Sequence, residues 1–162
     1  MKVVIVSDTH IAKKEAELPV RLMEELPSAE LIIHAGDWNI PEVYDQLESF
    51  APVHGVYGNV DGIEIQELVP DKQIIDVKGF KIGIVHGHGE KKTTEKRVVE
   101  AFAEDNADII VFGHSHIPLL RYFKKQLLFN PGSPTAKRKL PYYSFGIMTF
   151  NEETFEAKHI FY

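Results

Sequence analysis

Seven side chains of types that bind metal ions follow five short apolar runs of the sequence. They are Asp8, His10, Asp37, Asn59, His86, His114 and His116. The chain has no cysteine, so any metal must be held by nitrogen and oxygen atoms. Seven such donors are too many for one open catalytic metal, but they suit a pair of metal ions. The residue types therefore predict a two-metal centre.

These donors come directly after predicted parallel strands, at the sheet edge where α/β proteins gather their ligands. A single buried histidine is usually a hydrogen-bonded core residue. Packing, however, gives no reason for polar residues to follow all of these strands. Glycines at positions 36, 58, 87 and 113 let the chain turn sharply beside the donors. The pattern therefore predicts that the donors meet at one site.

The order of the segments indicates how the donors divide between two ions. Asp37 is the candidate bridging carboxylate, because its segment lies between the other two carboxylate-rich or amide-rich segments. The first ion would be completed by Asp8, His10 and His116. The second ion would be completed by Asn59, His86 and His114. Two divalent ions about 4 Å apart can clamp both the attacking and the leaving oxygen of a phosphoryl transfer.

The mixture of donors also narrows the choice of metal. Imidazole and carboxylate ligands without sulfur suit transition metals, with manganese favoured and nickel, iron, cobalt and zinc also fitting. Four imidazoles disfavour magnesium. His114 and His116 flank Ser115, and side chains alternate along an extended chain, so both imidazoles would point to the same side.

Buried strands and amphipathic helices must position these donors. Apolar runs predict strands at residues 3–6, 31–33, 53–57, 73–77, 80–85 and 108–112. Helical spacing predicts helices over residues 18–26, 41–50 and 94–105. Beyond residue 117, strands are predicted at 119–123, 127–130, 142–150 and 155–162. The pattern favours an α/β fold, with two sheets packed face to face and helices outside, as a single domain over residues 1–162.

The composition excludes several classes of protein. Eighteen basic and 24 acidic residues give a net charge of −6, which argues against stable nucleic-acid binding. The absence of cysteine excludes disulfides, zinc fingers and thiol catalysis. The apolar start is too short for a signal peptide or a membrane helix. We therefore expect a cytoplasmic protein with a small substrate and no membrane contact.

The motifs that carry the donors resemble those of the calcineurin-like metallophosphoesterase superfamily. They read Asp8-Thr9-His10, Gly36-Asp37, Gly58-Asn59-Val60-Asp61, His86 within Val-His-Gly-His, and Gly113-His114-Ser115-His116. Their order is that of the family, and the short chain resembles its small stand-alone phosphodiesterases of bacteria and archaea. The resemblance implies a four-layer αββα sandwich of two mixed β-sheets flanked by helices. It also implies that Asp37 bridges two metals and that a metal-bound hydroxide hydrolyses phosphodiesters.

One position departs from the family's motif. The third motif usually reads Gly-Asn-His-Asp/Glu, and its histidine is taken to protonate the leaving oxygen, whereas this chain has Val60. His88, two residues after His86, can face the same site, and we consider it the candidate replacement or a substrate contact. Asn59 is expected to act in catalysis as well as on the second ion.

Three further segments leave alternatives open. The turn at Asn130-Pro131-Gly132-Ser133 fits a simple turn, while the resemblance suggests that Asn130 and Gly132 lie beside the metals and meet the substrate's phosphate. The basic residues Lys91, Lys92, Lys96 and Arg97 fit either a solvated face or the steering of an anionic substrate. The apolar residues Leu140, Tyr142, Tyr143 and Phe145 fit either strand core or a homo-oligomer contact.

The leading hypothesis is a metal-dependent phosphodiesterase acting on a small phosphodiester. One alternative is a non-catalytic, metal-binding scaffold for protein interactions, as in the retromer subunit that resembles these phosphoesterases and has a degraded site. Here all seven positions carry a competent ligand, which favours an enzyme because buried polar groups are costly without a partner. The other alternative is a phosphomonoesterase, which shares the metals but normally needs the histidine that Val60 replaces.

Overall fold

Ten strands of the described chain, residues 1–13 and 17–162 of the computed structural model, form two mixed five-stranded sheets. The first sheet contains β1 (Lys2–Val6), β2 (Leu31–His34), β3 (Val53–Gly55), β9 (Ser144–Phe150) and β10 (Phe155–Phe161). The second contains β4 (Lys72–Val77), β5 (Phe80–Val85), β6 (Ile109–Val111), β7 (Leu119–Phe123) and β8 (Gln126–Asn130). In space the first sheet reads β10-β9-β1-β2-β3 and the second reads β4-β5-β6-β8-β7.

Parallel strands form the centre of each sheet. β1 pairs with β2 in the register Val3↔Leu31, and β2 pairs with β3 in the register Ile32↔Val53. β5, β6 and β8 are also parallel, whereas the remaining strands pair in antiparallel orientation. Because parallel neighbours end on the same side, the loops after these strands emerge together at one edge.

Alternating side chains of the central strands fill two different cores. Val3 and Ile5 of β1 face the second sheet and pack in the core that separates the sheets. Val4 and Val6 face the opposite way and pack under helices. β1 is therefore buried on both faces, which explains why its sequence is a continuous apolar run.

Four α-helices of the described residues cover the outer faces of the sheets. α1 (Val20–Met23), α2 (Pro41–Glu48) and α3 (Ile63–Leu68) lie over the first sheet and share its outer core. α4 (Thr94–Ala101) lies over the second sheet, where Val98 packs in a core with Ile110 and Leu128. This arrangement is the αββα sandwich that the resemblance implies, so that expectation is confirmed. Within residues 1–13 and 17–162, no helix is long and apolar enough to cross a bilayer.

Several element ends differ from the predicted ones. The helix predicted over residues 18–26 is divided into α1 and a 3-10 helix at Leu26–Ser28, since Pro27 has no N–H with which to extend an α-helix. α4 ends at Ala101 instead of residue 105, and β3 ends at Gly55 instead of residue 57. α3 was not predicted, because Ile65 is the one buried residue of its six and leaves no apolar stripe in the sequence.

Candidate metal centre

Backbone hydrogen bonds draw the loops after the parallel strands together. The N–H of Asp8, after β1, donates to the carbonyl of Gly36 at 2.9 Å. The N–H of Gly113, after β6, donates to the carbonyl of His86 at 3.1 Å. The N–H of His114 donates to both carboxylate oxygens of Asp8, at 3.2 and 3.0 Å. Loops of the second sheet are thereby fixed to loops of the first, as the convergence of donors requires.

Asp8, His10 and His116 form one group of donors, with ligand atoms within 4.8 Å of one another. Nε2 of His116 lies 3.3 Å from Oδ1 of Asp8 and 3.2 Å from Nε2 of His10. His116 points Nε2 at this place because its Nδ1 donates to the carbonyl of Ala136. These are the three residues predicted to complete the first ion.

Asp8, Asp37 and His86 form a second group, again with ligand atoms within 4.8 Å of one another. Nε2 of His86 lies 3.2 Å from Oδ1 of Asp37 and 4.0 Å from Oδ1 of Asp8. Nδ1 of His86 donates to the carbonyl of Ala35 at 2.7 Å, while the buried Nε2 has no hydrogen-bond partner among the described residues. A buried nitrogen lone pair that faces two carboxylates requires a cation between them, so the donor set fits a divalent metal.

Asp37 connects the two groups. Its Oδ1 faces Nε2 of His86 at 3.2 Å, and its Oδ2 faces Nε2 of His10 at 3.5 Å. The two oxygens of one carboxylate therefore point toward histidines of different groups. A bridging ligand needs this orientation.

Asn59 and His114 lie beside the second group. Oδ1 of Asn59 is 3.0 Å from Nδ1 of His114, and the His114 ring meets the His86 ring edge-on with centroids 5.3 Å apart. The structure thus brings Asn59 and His114 next to His86, outside the two compact groups. Their role as ligands stays a prediction.

Burial and neighbouring charges move the pKa values of these groups in opposite directions. Burial raises the pKa of Asp8 to about 7. Burial also opposes ionisation of Asp37, but the close approach of the His86 ring to its carboxylate and the charge of that ring outweigh burial and lower its pKa to about 2. Burial works to lower the pKa of His86, yet the carboxylates of Asp37 and Asp8 raise it overall. The raised pKa values of His86 and Asp8 mean that both groups hold a proton more firmly than they would in water, and such protons compete with a divalent cation.

The pKa values of the His114 and His116 imidazoles shift in the opposite direction to that of His86. Burial lowers the pKa values of His114 and His116 to about 4, with the charge of His86 adding to the effect on His114. Both rings are therefore neutral at neutral pH, which is the form that binds metals.

Several predicted ligands have left-handed backbone conformations. The φ angles are 55° at Asp8, 46° at His10, 61° at Asp37, 68° at His114 and 59° at His116. Such conformations cost about 1–3 kcal/mol each and persist only where the surrounding structure enforces them. Their concentration at the donors is typical of a functional site.

Two glycines permit the close approach of the loops. Gly36 has a φ of +94°, and a Cβ there would lie 2.6 Å from Nδ1 of His86. A Cβ at Gly113 would lie 1.8 Å from Oγ of Ser7 and 2.7 Å from Oδ2 of Asp8. A larger residue at either position would push the ligand loops apart.

Asp61 is a residue of the site that the sequence analysis missed. Its buried carboxylate accepts the N–H groups of Asp37 at 2.9 Å, Trp38 at 2.8 Å and Asn39 at 2.9 Å. It also accepts the N–H of Gly58 at 2.7 Å. One side chain thus joins the loops after β2 and β3. The available signal was its position in the motif, three residues after Gly58.

Asn130 and Gly132 lie beside the loop of His114 and His116, but their polar groups bond within the chain. Nδ2 of the buried Asn130 donates to the carbonyl of Gly113 at 2.9 Å, and the N–H of Gly132 donates to Oδ1 of Asn130 at 2.9 Å. Ser133, next in the turn, donates from Oγ to the carbonyl of Asp8 at 2.7 Å. The turn therefore supports the ligand loops, while its contact with a substrate stays a prediction.

The rim of the centre carries His88 and Val60. The exposed His88 ring lies with its centroid 5.6 Å from that of His86 and has no hydrogen bond to a described residue. Val60 is 46% exposed, and its N–H donates to Oδ1 of Asp37 at 3.2 Å. The position of the family's histidine is therefore apolar and solvent-facing here.

The structure bears on two segments whose roles the sequence left open, the basic residues at positions 91–97 and the apolar residues at positions 140–145. Lys92 forms an ion pair with Glu100 at 2.8 Å, and the donors of Arg97 are used by carbonyl and hydroxyl groups of the chain. Phe145 is fully buried in the core under the helices, whereas Tyr142 is exposed. The basic residues are therefore not all available to attract an anion, and the apolar residues are not all exposed to an oligomer contact.

Comparison with known proteins agrees with this geometry. The family model of the calcineurin-like phosphoesterase superfamily domain matches residues 1–153. A probable metallophosphoesterase of Methanothermobacter thermautotrophicus is 35% identical over 141 residues, covering 85% of this chain and 80% of that protein. Among solved structures, Entamoeba histolytica Vps29 complexed with zinc has a TM-score of 0.77 at 22% identity, covering 99% of each chain. A structure described as a novel archaeal phosphodiesterase has a TM-score of 0.73 at 22% identity, covering 99% of this chain and all of that one. The chain belongs to the calcineurin-like phosphoesterase superfamily.

Proposed function

We propose that the protein is a phosphodiesterase that works with two divalent metal ions, for which manganese is the first choice. The observation that carries the proposal is the orientation of Asp37. Its two oxygens face Nε2 of His86 at 3.2 Å and Nε2 of His10 at 3.5 Å. A carboxylate shared in this way suits two ions better than one.

The chain offers a complete donor set for each ion. The first would be held by Asp8, His10, Asp37 and His116. The second would be held by Asp37, Asn59, His86 and His114. When bound, such a pair supplies Lewis-acid stabilisation of the transferring phosphoryl group and a nucleophile at neutral pH.

The chain's own residues would position these ligands and the substrate. Hydrogen bonds from Nδ1 of His86 and of His116 to backbone carbonyls fix both rings with Nε2 turned inward. Asn59 and His88, on the exposed side, are the candidate contacts of the phosphate and the leaving group. His88 has no hydrogen bond to a described residue, so its ring nitrogens are available to a ligand.

The apolar side chain of Val60 favours diesters with good leaving groups over monoesters. Because Val60 stands where the family has a histidine, His88 is the nearby imidazole outside the candidate ligand set that could protonate a leaving oxygen. The likeness to a structure described as an archaeal phosphodiesterase agrees with a diester substrate.

A binding scaffold is the second candidate. The fold likeness to Vps29, one structure of which is complexed with zinc, supports the idea that a metal-binding chain of this shape can be something other than a diesterase. The two candidates differ in turnover, because a scaffold with bound metal would not hydrolyse esters.

Metal analysis and an ester panel test the proposal together. Protein purified without chelator should bind two metal ions per chain at saturating Mn²⁺ and should hydrolyse bis(4-nitrophenyl) phosphate faster than 4-nitrophenyl phosphate. Asp37→Ala should lower both metal content and turnover more than His10→Ala or His114→Ala, while Asp76→Ala, an exposed position of β4 beside the hairpin turn, should change neither. One ion or none, with activity that survives EDTA, would show the two-metal proposal to be wrong. Two bound ions without hydrolysis of any ester would favour the scaffold.

A further inference from the structure

We propose that Arg97 is a positioning residue, which locks the loop of residues 87–93 and so holds His88 at the rim of the metal centre. This inference rests on the proposed function, because His88 matters here as a group that faces the phosphate of a ligand. Arg97 lies in α4, the helix that follows this loop.

The guanidinium of Arg97 spans almost the entire loop. Its Nε donates to the carbonyl of Gly87 at 2.9 Å. Its Nη1 donates to the carbonyls of Lys92 at 2.6 Å and Lys91 at 3.2 Å, and its Nη2 donates to Oγ1 of Thr94 at 3.1 Å. A planar fork with five N–H donors can hold several acceptors at once, which the single ammonium of a lysine cannot do.

The loop has few other restraints. Residues 87–92 make no backbone-to-backbone hydrogen bond with the part of the chain that the structure describes. Gly87 and Gly89 have φ angles of +90° and +146°, so the backbone there follows a path that few residues can adopt. The side chains of residues 88–92 are exposed. Apart from the ion pair of Lys92 with Glu100 near the end of the loop, the hydrogen bonds of Arg97 are therefore the main contacts that fix it.

The position of His88 follows from that of the loop. His88 comes directly after Gly87, whose carbonyl Arg97 holds, and its ring has no hydrogen bond to a described residue. Its centroid lies 5.6 Å from that of His86 and 6.4 Å from that of His114. An imidazole held only through its backbone moves when the loop moves.

Arg97 has little left to offer a ligand. Four of its five N–H groups are engaged by three carbonyls and one hydroxyl of the chain. The sequence allowed Arg97 to steer anions by its charge, and the hydrogen bonds point to positioning instead. The two roles predict different behaviour for a lysine at this position, since lysine keeps the charge but loses the fork.

The test compares Arg97→Lys and Arg97→Gln with Lys96→Gln, which removes the same charge from an exposed neighbour whose Nζ bonds to no described residue. Two measurements are made on folded protein, as checked by thermal unfolding. One is hydrogen exchange of the amides of residues 88–92 without metal. The other is the Kd of inorganic phosphate for the Mn²⁺-loaded protein.

Both Arg97 variants should speed exchange in the loop and raise the phosphate Kd about tenfold, which is the size of one charge-assisted hydrogen bond. Lys96→Gln should leave exchange unchanged and the Kd within about twofold. In a His88→Ala background, Arg97→Gln should raise the Kd no further, since its effect passes through His88.

Three results would overturn the inference. Wild-type behaviour of Arg97→Lys would mean that charge alone matters. Unchanged exchange in Arg97→Gln would mean that the loop is fixed by other contacts. A full effect of Arg97→Gln without His88 would mean that Arg97 acts elsewhere. If wild-type protein with Mn²⁺ binds no phosphate, the proposed function fails and so does the role of His88, while hydrogen exchange still reports separately on the loop.

Discussion

The carboxylate of Asp61 accepts the backbone N–H of Asp37 at 2.9 Å, so a residue outside the candidate ligand set holds the candidate bridging ligand in place. The same carboxylate oxygen accepts the N–H of Gly58 at 2.7 Å. The loops after β2 and β3 thus share one buried acceptor. The left-handed backbone of Asp37, with a φ of 61°, is maintained partly by this contact.

Replacing Asp61 by alanine should destabilise the fold as well as the metal centre. Four backbone N–H groups would lose their acceptor, and leaving buried donors unpaired is costly. We expect the free energy of unfolding to fall by about 3 kcal/mol or more, as measured by urea denaturation without metal. Asp76→Ala is the matched control, since its exposed carboxylate accepts one N–H, from Gly79 at 3.0 Å. Equal losses in the two variants would contradict this role of Asp61.

The strands that carry the donors could be predicted because their signal is local. β1 and β2 are continuous apolar runs, and a strand buried on both faces needs no partner to be recognised. α3 could not be predicted, because it buries only Ile65 and so leaves no helical apolar pattern in the sequence. The division before Leu26 was also missed, since the apolar spacing continues from Leu22 and Met23 to Leu26.

The candidate site also has parts that the sequence could predict and parts that it could not. Asp8, His10 and His116 lie together as expected, because their strands end at one edge, while their binding of a metal stays a prediction. The role of Asp61 was missed because its four partners are backbone groups, which a sequence does not distinguish. The hydrogen bonds of Arg97 could not be predicted, since its acceptors are backbone carbonyls that become neighbours only through the turns of the loop.

Metal affinity should rise with pH between about 6 and 8. Burial raises the pKa of Asp8 to about 7, so at pH 6 a proton competes with the metal for this carboxylate, and at pH 8 it does not. The proton of His86, whose pKa the carboxylates of Asp37 and Asp8 raise, adds to this competition, whereas His114 and His116, with pKa values of about 4, add none in this range. Titration calorimetry with Mn²⁺ in buffers of different ionisation enthalpy should detect proton release at pH 6 that declines by pH 8. An affinity that is flat across this range would contradict the assignment of Asp8 as a ligand.

His159 should make the fold sensitive to acid. Its ring stacks on Phe129 with centroids 4.6 Å apart, Nε2 lies 2.7 Å from the carbonyl of Asn130, and burial lowers its pKa below 6.5. Since the unfolded chain takes up the proton more readily, this contribution to stability is complete above about pH 6.5 and is lost as pH falls through the folded pKa. Denaturation of metal-free wild type and His159→Gln from pH 7.5 to 5 should show their difference in unfolding free energy shrinking toward low pH. A difference that stays constant would mean that His159 does not titrate on unfolding.

The rate of diester cleavage should depend steeply on the leaving group. The side chain at position 60 is an exposed valine, so the family's imidazole is absent, and general acid catalysis is typically worth about 10²–10⁴ in rate. Across substituted phenyl diesters, the rate should therefore fall as the phenol pKa rises, and alkyl diesters should react much more slowly. Val60→His should flatten this dependence by helping poor leaving groups most, whereas His88→Ala should steepen it if His88 is the replacement acid. A wild-type slope near zero with bond cleavage rate-limiting, unchanged in His88→Ala, would mean that another group protonates the leaving oxygen.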